Sequence, residues 1–109
     1  MAESIRQIWS KKERTVSAST TLVVDSIPLA RFKKLEYVVN IEEVGGSKSI
    51  GFKFPVFNTE SGVNHQVYAK AGDSIDYEIQ AKVNGSECEI EVTNNESYSI
   101  AVNLVRSKQ

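Results

Sequence analysis

Cysteine, histidine, tryptophan and methionine each occur once in these 109 residues, and proline occurs only twice. One cysteine, Cys88, cannot close an internal disulfide or build a multi-cysteine metal site. One histidine, His65, excludes a His-rich metal site, so no cofactor or metal is expected. No apolar run approaches the roughly 20 residues that a membrane-spanning helix needs. No basic-then-apolar leader opens the chain. The expectation is a chain made and kept soluble, unless it leaves on a larger particle. The phosphate- and dinucleotide-binding patterns G-x-x-x-x-G-K and G-x-G-x-x-G are missing, as is the nucleophile elbow G-x-S-x-G.

What is present is ordinary for one globular domain: 40% hydrophobic and 25% charged residues. The net charge is −1, but it is unevenly spread. Residues 1–34 hold seven basic residues (Arg6, Lys11, Lys12, Arg14, Arg31, Lys33, Lys34) against Glu3, Glu13 and Asp25. Residues 35–109 hold six basic against eleven acidic residues. A self-assembling subunit can use such asymmetry, a basic arm meeting an acidic neighbour.

In "ESIRQIWSKKERTV", Ile5, Ile8 and Trp9 fall at i, i+3 and i+4, so a short helix gathers them on one side. Alone it is too short to be stable. It docks either on its own domain or on another chain, and the residues leave both open. "TTLVVDSIPLARF" predicts a strand through Leu22–Val24, broken at Asp25-Ser26 and Pro28, then one helical turn. "KLEYVVNIEEV" puts Leu35, Tyr37, Val39 and Ile41 on one face of a strand. After a turn at Gly45-Gly46, "SIGFKFPVF" returns with Ile50, Phe52, Phe54 and Val56 on one face. Pro55 has no N–H, so this strand is at an edge or leaves the ladder there. "HQVYAKA" reads as a short strand.

"YEIQAKVNGSECEIEV" is a hairpin. A two-residue Asn84-Gly85 turn sets Ala81 against Cys88, Ile79 against Ile90 and Tyr77 against Val92. "YSIAVNLV" is expected to return beside it and close a three-stranded meander. On the outer face Lys82 then faces Glu87 and Glu78 faces Glu91, within an acidic stripe of Asp76, Glu78, Glu87, Glu89 and Glu91. A solvated face that keeps strands from aggregating accounts for such a stripe. A docking surface for a basic partner is the functional alternative. Calcium would need convergent loop oxygens, which carboxylates on regular strands do not supply.

A Ser–His–Asp arrangement could be drawn through His65 and an acid, but a lone histidine at a loop edge is ordinarily plain surface. Cys88 has inward parity and reads as a small core residue, not a nucleophile. Trp9, Phe57 and Tyr68 are candidates for sugar stacking. Only "ARFKK" (Ala30–Lys34) suits nucleic acid, and the acidic body argues against it.

The order "TTLVVDSIPLARFKKLEYVVNIEE", then a hairpin, then "VNGSECEIEVTN" and "SYSIAVNLVR" resembles a small β-sandwich module of virion structural proteins in tailed bacteriophages. The resemblance covers residues 15–107. It departs in size, because such modules hang from longer tail or fibre proteins. It implies an all-β fold: a single antiparallel β-sandwich of about seven or eight strands over residues 15–109, with residues 1–14 as an N-terminal arm. It implies a non-enzymatic structural subunit, made in the host cytoplasm and carried in the virion. Its partners would be other virion proteins and copies of itself, as a homo-oligomer, with no nucleic acid and no membrane. The partner-binding residues would be Ile5, Ile8, Trp9, Asp76, Glu78, Glu89 and Glu91. A carbohydrate- or receptor-binding module is the alternative.

Overall fold

Alternating apolar and polar residues leave this chain little choice but strands, and a computed structural model bears that out. It describes residues 9–108. Among them nine strands run in order: β1 (Trp9–Val16), β2 (Thr21–Pro28), β3 (Lys34–Glu43), β4 (Ser49–Thr59), β5 (Gly62–His65), β6 (Tyr68–Gly72), β7 (Tyr77–Asn84), β8 (Glu87–Asn94) and β9 (Ile100–Lys108). A single 3-10 turn, Leu29–Arg31, follows β2 as expected. The strands form two antiparallel sheets packed face to face. The larger has the order β1-β9-β3-β4-β5, with β6 also on β4; the smaller is β2-β8-β7.

The core lies between the sheets. Leu35, Tyr37, Val39 and Ile41 of β3, and Ile50, Phe52, Phe54 and Val56 of β4, are all buried. Ile79, Cys88, Ile90 and Val92 face them from the smaller sheet. Tyr77 stacks on Phe52, their rings 5.3 Å apart and nearly parallel, tying the sheets together at one end. Pro55 sits where β4 changes neighbours. Val56 pairs with His65 of β5, while Lys53 pairs with Tyr68 of β6. The Pro55 carbonyl accepts from Gln66 N, so its missing N–H falls in the gap between the two short strands.

Four expectations need correction. First, Trp9 opens a strand, not a helical face: Trp9 through Val16 pair in unbroken register with Ser107 through Ile100. The boundary expected between residues 14 and 15 therefore falls inside β1. Lys12, Arg14 and Val16, at every second position, lie opposite Leu104, Val102 and Ile100, which is the register of a strand and not of a helical turn. Ile5 and Ile8 lie outside the described residues.

Second, β9 does not close a meander with β7 and β8. It crosses to the larger sheet and pairs with both β1 and β3. Asn94, fully buried, makes this corner. Its Nδ2 donates to the carbonyls of Val16 (3.0 Å) and Tyr98 (2.7 Å), and its Oδ1 accepts from Glu96 N (2.9 Å). A side-chain amide at the end of β8 that satisfies backbone groups of β1 and of the loop leading to β9 stabilises a crossover, not a tight reversal.

Third, the β7–β8 hairpin turns at Gly85-Ser86, one residue later than expected. Asn84 pairs with Glu87, Ala81 with Ile90 and Ile79 with Val92. Gly85, at φ +64°, takes the first central position, and a Gly-X turn wants glycine there. The register moves by two, so every face is preserved while every cross-strand pair changes.

Fourth, β2 is not broken at Asp25. It runs on to Pro28 through a β-bulge. Val23 pairs with Glu91 and Asp25 with Ile90, which leaves Val24 as the extra residue. Val24 and Asp25 are consecutive, yet both are buried, because the bulge turns Asp25 from the outer face to the inner one.

Candidate functional site

The charged groups divide between an interior cluster and an outer face. The cluster centres on Asp25, only 4% exposed. Its Oδ2 accepts from Tyr37 Oη at 2.7 Å and from Arg106 Nη1 at 2.9 Å. Its Oδ1 forms an ion pair with Lys12 Nζ at 2.8 Å. Asp25 belongs to the smaller sheet. Lys12 (β1), Arg106 (β9) and Tyr37 (β3) belong to the larger, where Tyr37 and Arg106 are a cross-strand pair. The cluster therefore bridges the two sheets at the β1–β2 side of the sandwich.

Burial pushes the Asp25 carboxyl up. The hydrogen bonds from Lys12 and Tyr37 and the charges of Arg106 and Lys12 outweigh it, holding Asp25 below its ordinary value. Burial, with the Asp25 charge beside it, pushes the Tyr37 hydroxyl well above its usual range. Burial also pushes the Cys88 thiol up to about 11, with Asp25 adding to the effect. Tyr37 and Cys88 are thus held protonated and Asp25 ionised with all its partners in place. This arrangement suits holding sheets together and offers a substrate no free acid, base or thiolate.

The sequence reading missed this cluster, although its signals were present. Apolar parity switches between Val24 and Ile27, which requires an inserted residue. Lys12 and Arg106 share the inward parity of Val16 and Leu104, and an inward cation calls for a buried acid.

The outer face of β2-β8-β7 carries the expected acids in the corrected register. Lys82 lies opposite Glu89 and Gln80 opposite Glu91, so the unfavourable Glu78–Glu91 pair does not form; Glu78 faces Thr93. Glu91 accepts from Gln80 Nε2 (3.1 Å) and pairs with Lys82 Nζ (2.9 Å). The Lys82 contact holds Glu91 below and Lys82 above their ordinary values. Glu89 accepts from Asn84 Nδ2 (3.0 Å), and Glu87 accepts from Ser26 Oγ (2.9 Å). Asp76 precedes β7 in a loop, its N–H donating to Glu96 Oε2 (2.7 Å). The structure therefore brings Glu78, Glu89 and Glu91 to one face, with Asp76 at its end. Trp9 lies at the start of β1 in the other sheet.

At the opposite side of the sandwich from Asp25, a groove of about 470 Å³ opens between β5–β6 and β7. His65, Lys70, Tyr77, Glu78 and Glu91 contribute to its walls. The His65 ring lies 5.2 Å from that of Phe54. Tyr68 and Phe57 do not line it. Tyr68 donates to Glu36 Oε2 on the outside of the larger sheet, and Phe57 lies under Lys34 Nζ. Among the described residues no group of His, Cys, Asp and Glu is arranged to hold a metal ion.

No family model matches the chain. No curated protein matches it either. Solved structures do. The sandwich is similar to part of the tailspike protein of Acinetobacter baumannii phage AM24, with TM-score 0.54 and 3% identity over 93% of this chain. It is also similar to part of the tailspike protein of Acinetobacter phage vB_ApiP_P1, with TM-score 0.50 and 11% identity over 92% of this chain. The chain spans only 26% and 21% of those two proteins. The resemblance to phage virion modules read from the sequence is thus matched at the level of the fold.

Proposed function

We propose that this chain is a contact-making structural module of a phage tail, with no catalytic chemistry of its own. The observation that carries the reading is the extent of the fold match. It takes in 93% and 92% of the chain, so it is the whole sandwich, not one hairpin, that recurs within tailspikes. The interior charges support it, since Asp25 is engaged by Lys12, Tyr37 and Arg106.

On this reading the module is made in the host cytoplasm and carried in the virion. Its partners are other virion proteins and copies of itself in a homo-oligomer, not nucleic acid or membrane. Contacts come from the N-terminal segment, now shortened to residues 1–8 with Ile5 and Ile8 as anchors, and from the acidic face of Asp76, Glu78, Glu89 and Glu91. Trp9 marks where the sheet begins and joins the segment to it. A buried isoleucine supplies roughly 1.5–3 kcal/mol, and the charges set orientation and encounter rate.

The test is to purify particles from the native source and label them with an antibody against the sandwich. Label at the tail supports the reading, and particles without the chain contradict it. The chain alone is expected to release no reducing ends from host polysaccharide; their release would contradict the non-catalytic part. Deleting residues 1–8 is expected to leave a folded sandwich that no longer joins its partner.

A second reading, a carbohydrate- or receptor-binding module, is favoured by the groove beside β7, where His65 and Tyr77 offer rings next to the polar Gln80 and Glu91. Amide shifts confined to these residues on adding host-surface oligosaccharide would support it.

A further inference from the structure

The described strands present four open sheet edges, and three are blunted. β1 carries Lys11, Lys12, Glu13 and Arg14 in succession. β2 is bulged at Val24 and ends in Pro28. β5 and β6 are only 4 and 5 residues long. Charge, bulges, proline and shortness are the usual devices against edge-to-edge pairing. β7 is different: 8 residues in regular register with β8, without proline or bulge, and open on its other side.

The hydrogen-bonding phase of that edge follows from the hairpin. Asn84 and Glu87 flank a two-residue turn, and the Asp76 carbonyl accepts from Asn95 N at 3.0 Å. Even-numbered residues therefore turn their N–H and C=O toward β8. Tyr77, Ile79, Ala81 and Val83 turn theirs to the open edge. Val83 has inward parity yet is 51% exposed. Glu78 has no ion pair or side-chain hydrogen bond among the described residues. The groove along Ile75–Gln80 is walled on its far side by His65, Val67 and Lys70.

We propose that β7 is a self-pairing edge. Two copies meet β7 against β7, antiparallel about a two-fold axis through Gln80, and their smaller sheets become one continuous sheet. In this register Glu78 lies opposite Lys82 of the second copy, and symmetry makes the pair twice. Tyr77 covers the exposed Val83 of the other copy, and Ile79 meets Ala81. The backbone groups of Tyr77, Ile79, Ala81 and Val83 bond across the axis in the phase the hairpin leaves them. Moving the axis by one residue sets Glu78 against Gln80 or Asn84 and loses both charge pairs. The pairing goes beyond the tail reading and does not depend on it, because it uses only the backbone and side chains of β7.

The test is the mass of the full chain in solution across a concentration series, with amide hydrogen exchange. The mass is expected to rise from 12.1 kDa to twice that value. Amides of Tyr77, Ile79, Ala81 and Val83 should exchange more slowly as it does. Glu78→Lys alone, and Lys82→Glu alone, are each expected to weaken association roughly tenfold by setting like charges opposite twice. The double reversal Glu78→Lys/Lys82→Glu restores the complementary pairs and is expected to recover most of the affinity. A chain monomeric at every concentration overturns the proposal. So does a dimer in which those four amides exchange as in the monomer, or a double reversal that rescues nothing.

Discussion

Asp25 and the acids of the outer face are the same chemistry in two settings. Asp25 is buried, bridged to three groups on three strands of the opposite sheet, and held ionised by them. Glu87, Glu89 and Glu91 lie one sheet-thickness away, each touching neighbours on its own face and each in contact with water. A buried charge without its partners is expensive, so the sandwich must close correctly around Asp25. An exposed pair contributes little, so the outer face can change its contacts at small cost. The contrast assigns stability to the interior charge and leaves the exterior charge available for association.

The largest way to break the contrast is Tyr37→Ala. It removes a fully buried ring packed on Phe54 and also the hydroxyl on Asp25, and is expected to cost about 4 kcal/mol in urea unfolding. Tyr37→Phe keeps the ring and sharpens the comparison, with an expected loss of about 1–2 kcal/mol.

Acid separates the two settings next. Asp25 has its folded pKa held below the ordinary 3.8, so its pairing contributes fully above that value. The contribution fades as pH falls from 3.8 toward the folded pKa. The stability gap between the native chain and Asp25→Asn should therefore narrow on acidification below 3.8. A gap unchanged across that window would contradict the assignment.

Cys88 reports on closure of the same interior. It is fully buried and its thiol is pushed up to about 11. Thiol reagents should react slowly with the native chain and quickly with the unfolded one. Equal rates would mean that the sheets do not seal there. On the outer face, Lys82→Met should shift stability by no more than about 0.5 kcal/mol.

Much of the fold was legible because two-residue periodicity reports faces directly. The inward sets of β3, β4, β7 and β8 could all be read from apolar alternation. What periodicity does not report is which strand a face lies against. A register shift of two at Gly85-Ser86 leaves every parity intact, so only turn chemistry could have revealed it. The crossing of β9 rests on Asn94, whose role appears only when Val16 and Tyr98 are brought beside it. An acid after two valines fits a turn, so the sequence predicts a break at Asp25. The bulge at Val24 reverses that meaning, and only the parity switch to Ile27 carried a trace of it. The acidic face was legible as a face, while its pairing was not.

The claim that interior charge holds the sandwich and exterior charge does not is tested most directly by unfolding Asp25→Asn and Glu89→Gln side by side in urea at neutral pH. Asp25→Asn strips Lys12 and Arg106 of their counter-charge. Because both cations keep some contact with water, the expected loss is about 2 kcal/mol and not more. Glu89→Gln should stay within about 0.5 kcal/mol of the native chain. Equal losses in the two variants, or a larger one for Glu89→Gln, would contradict the account.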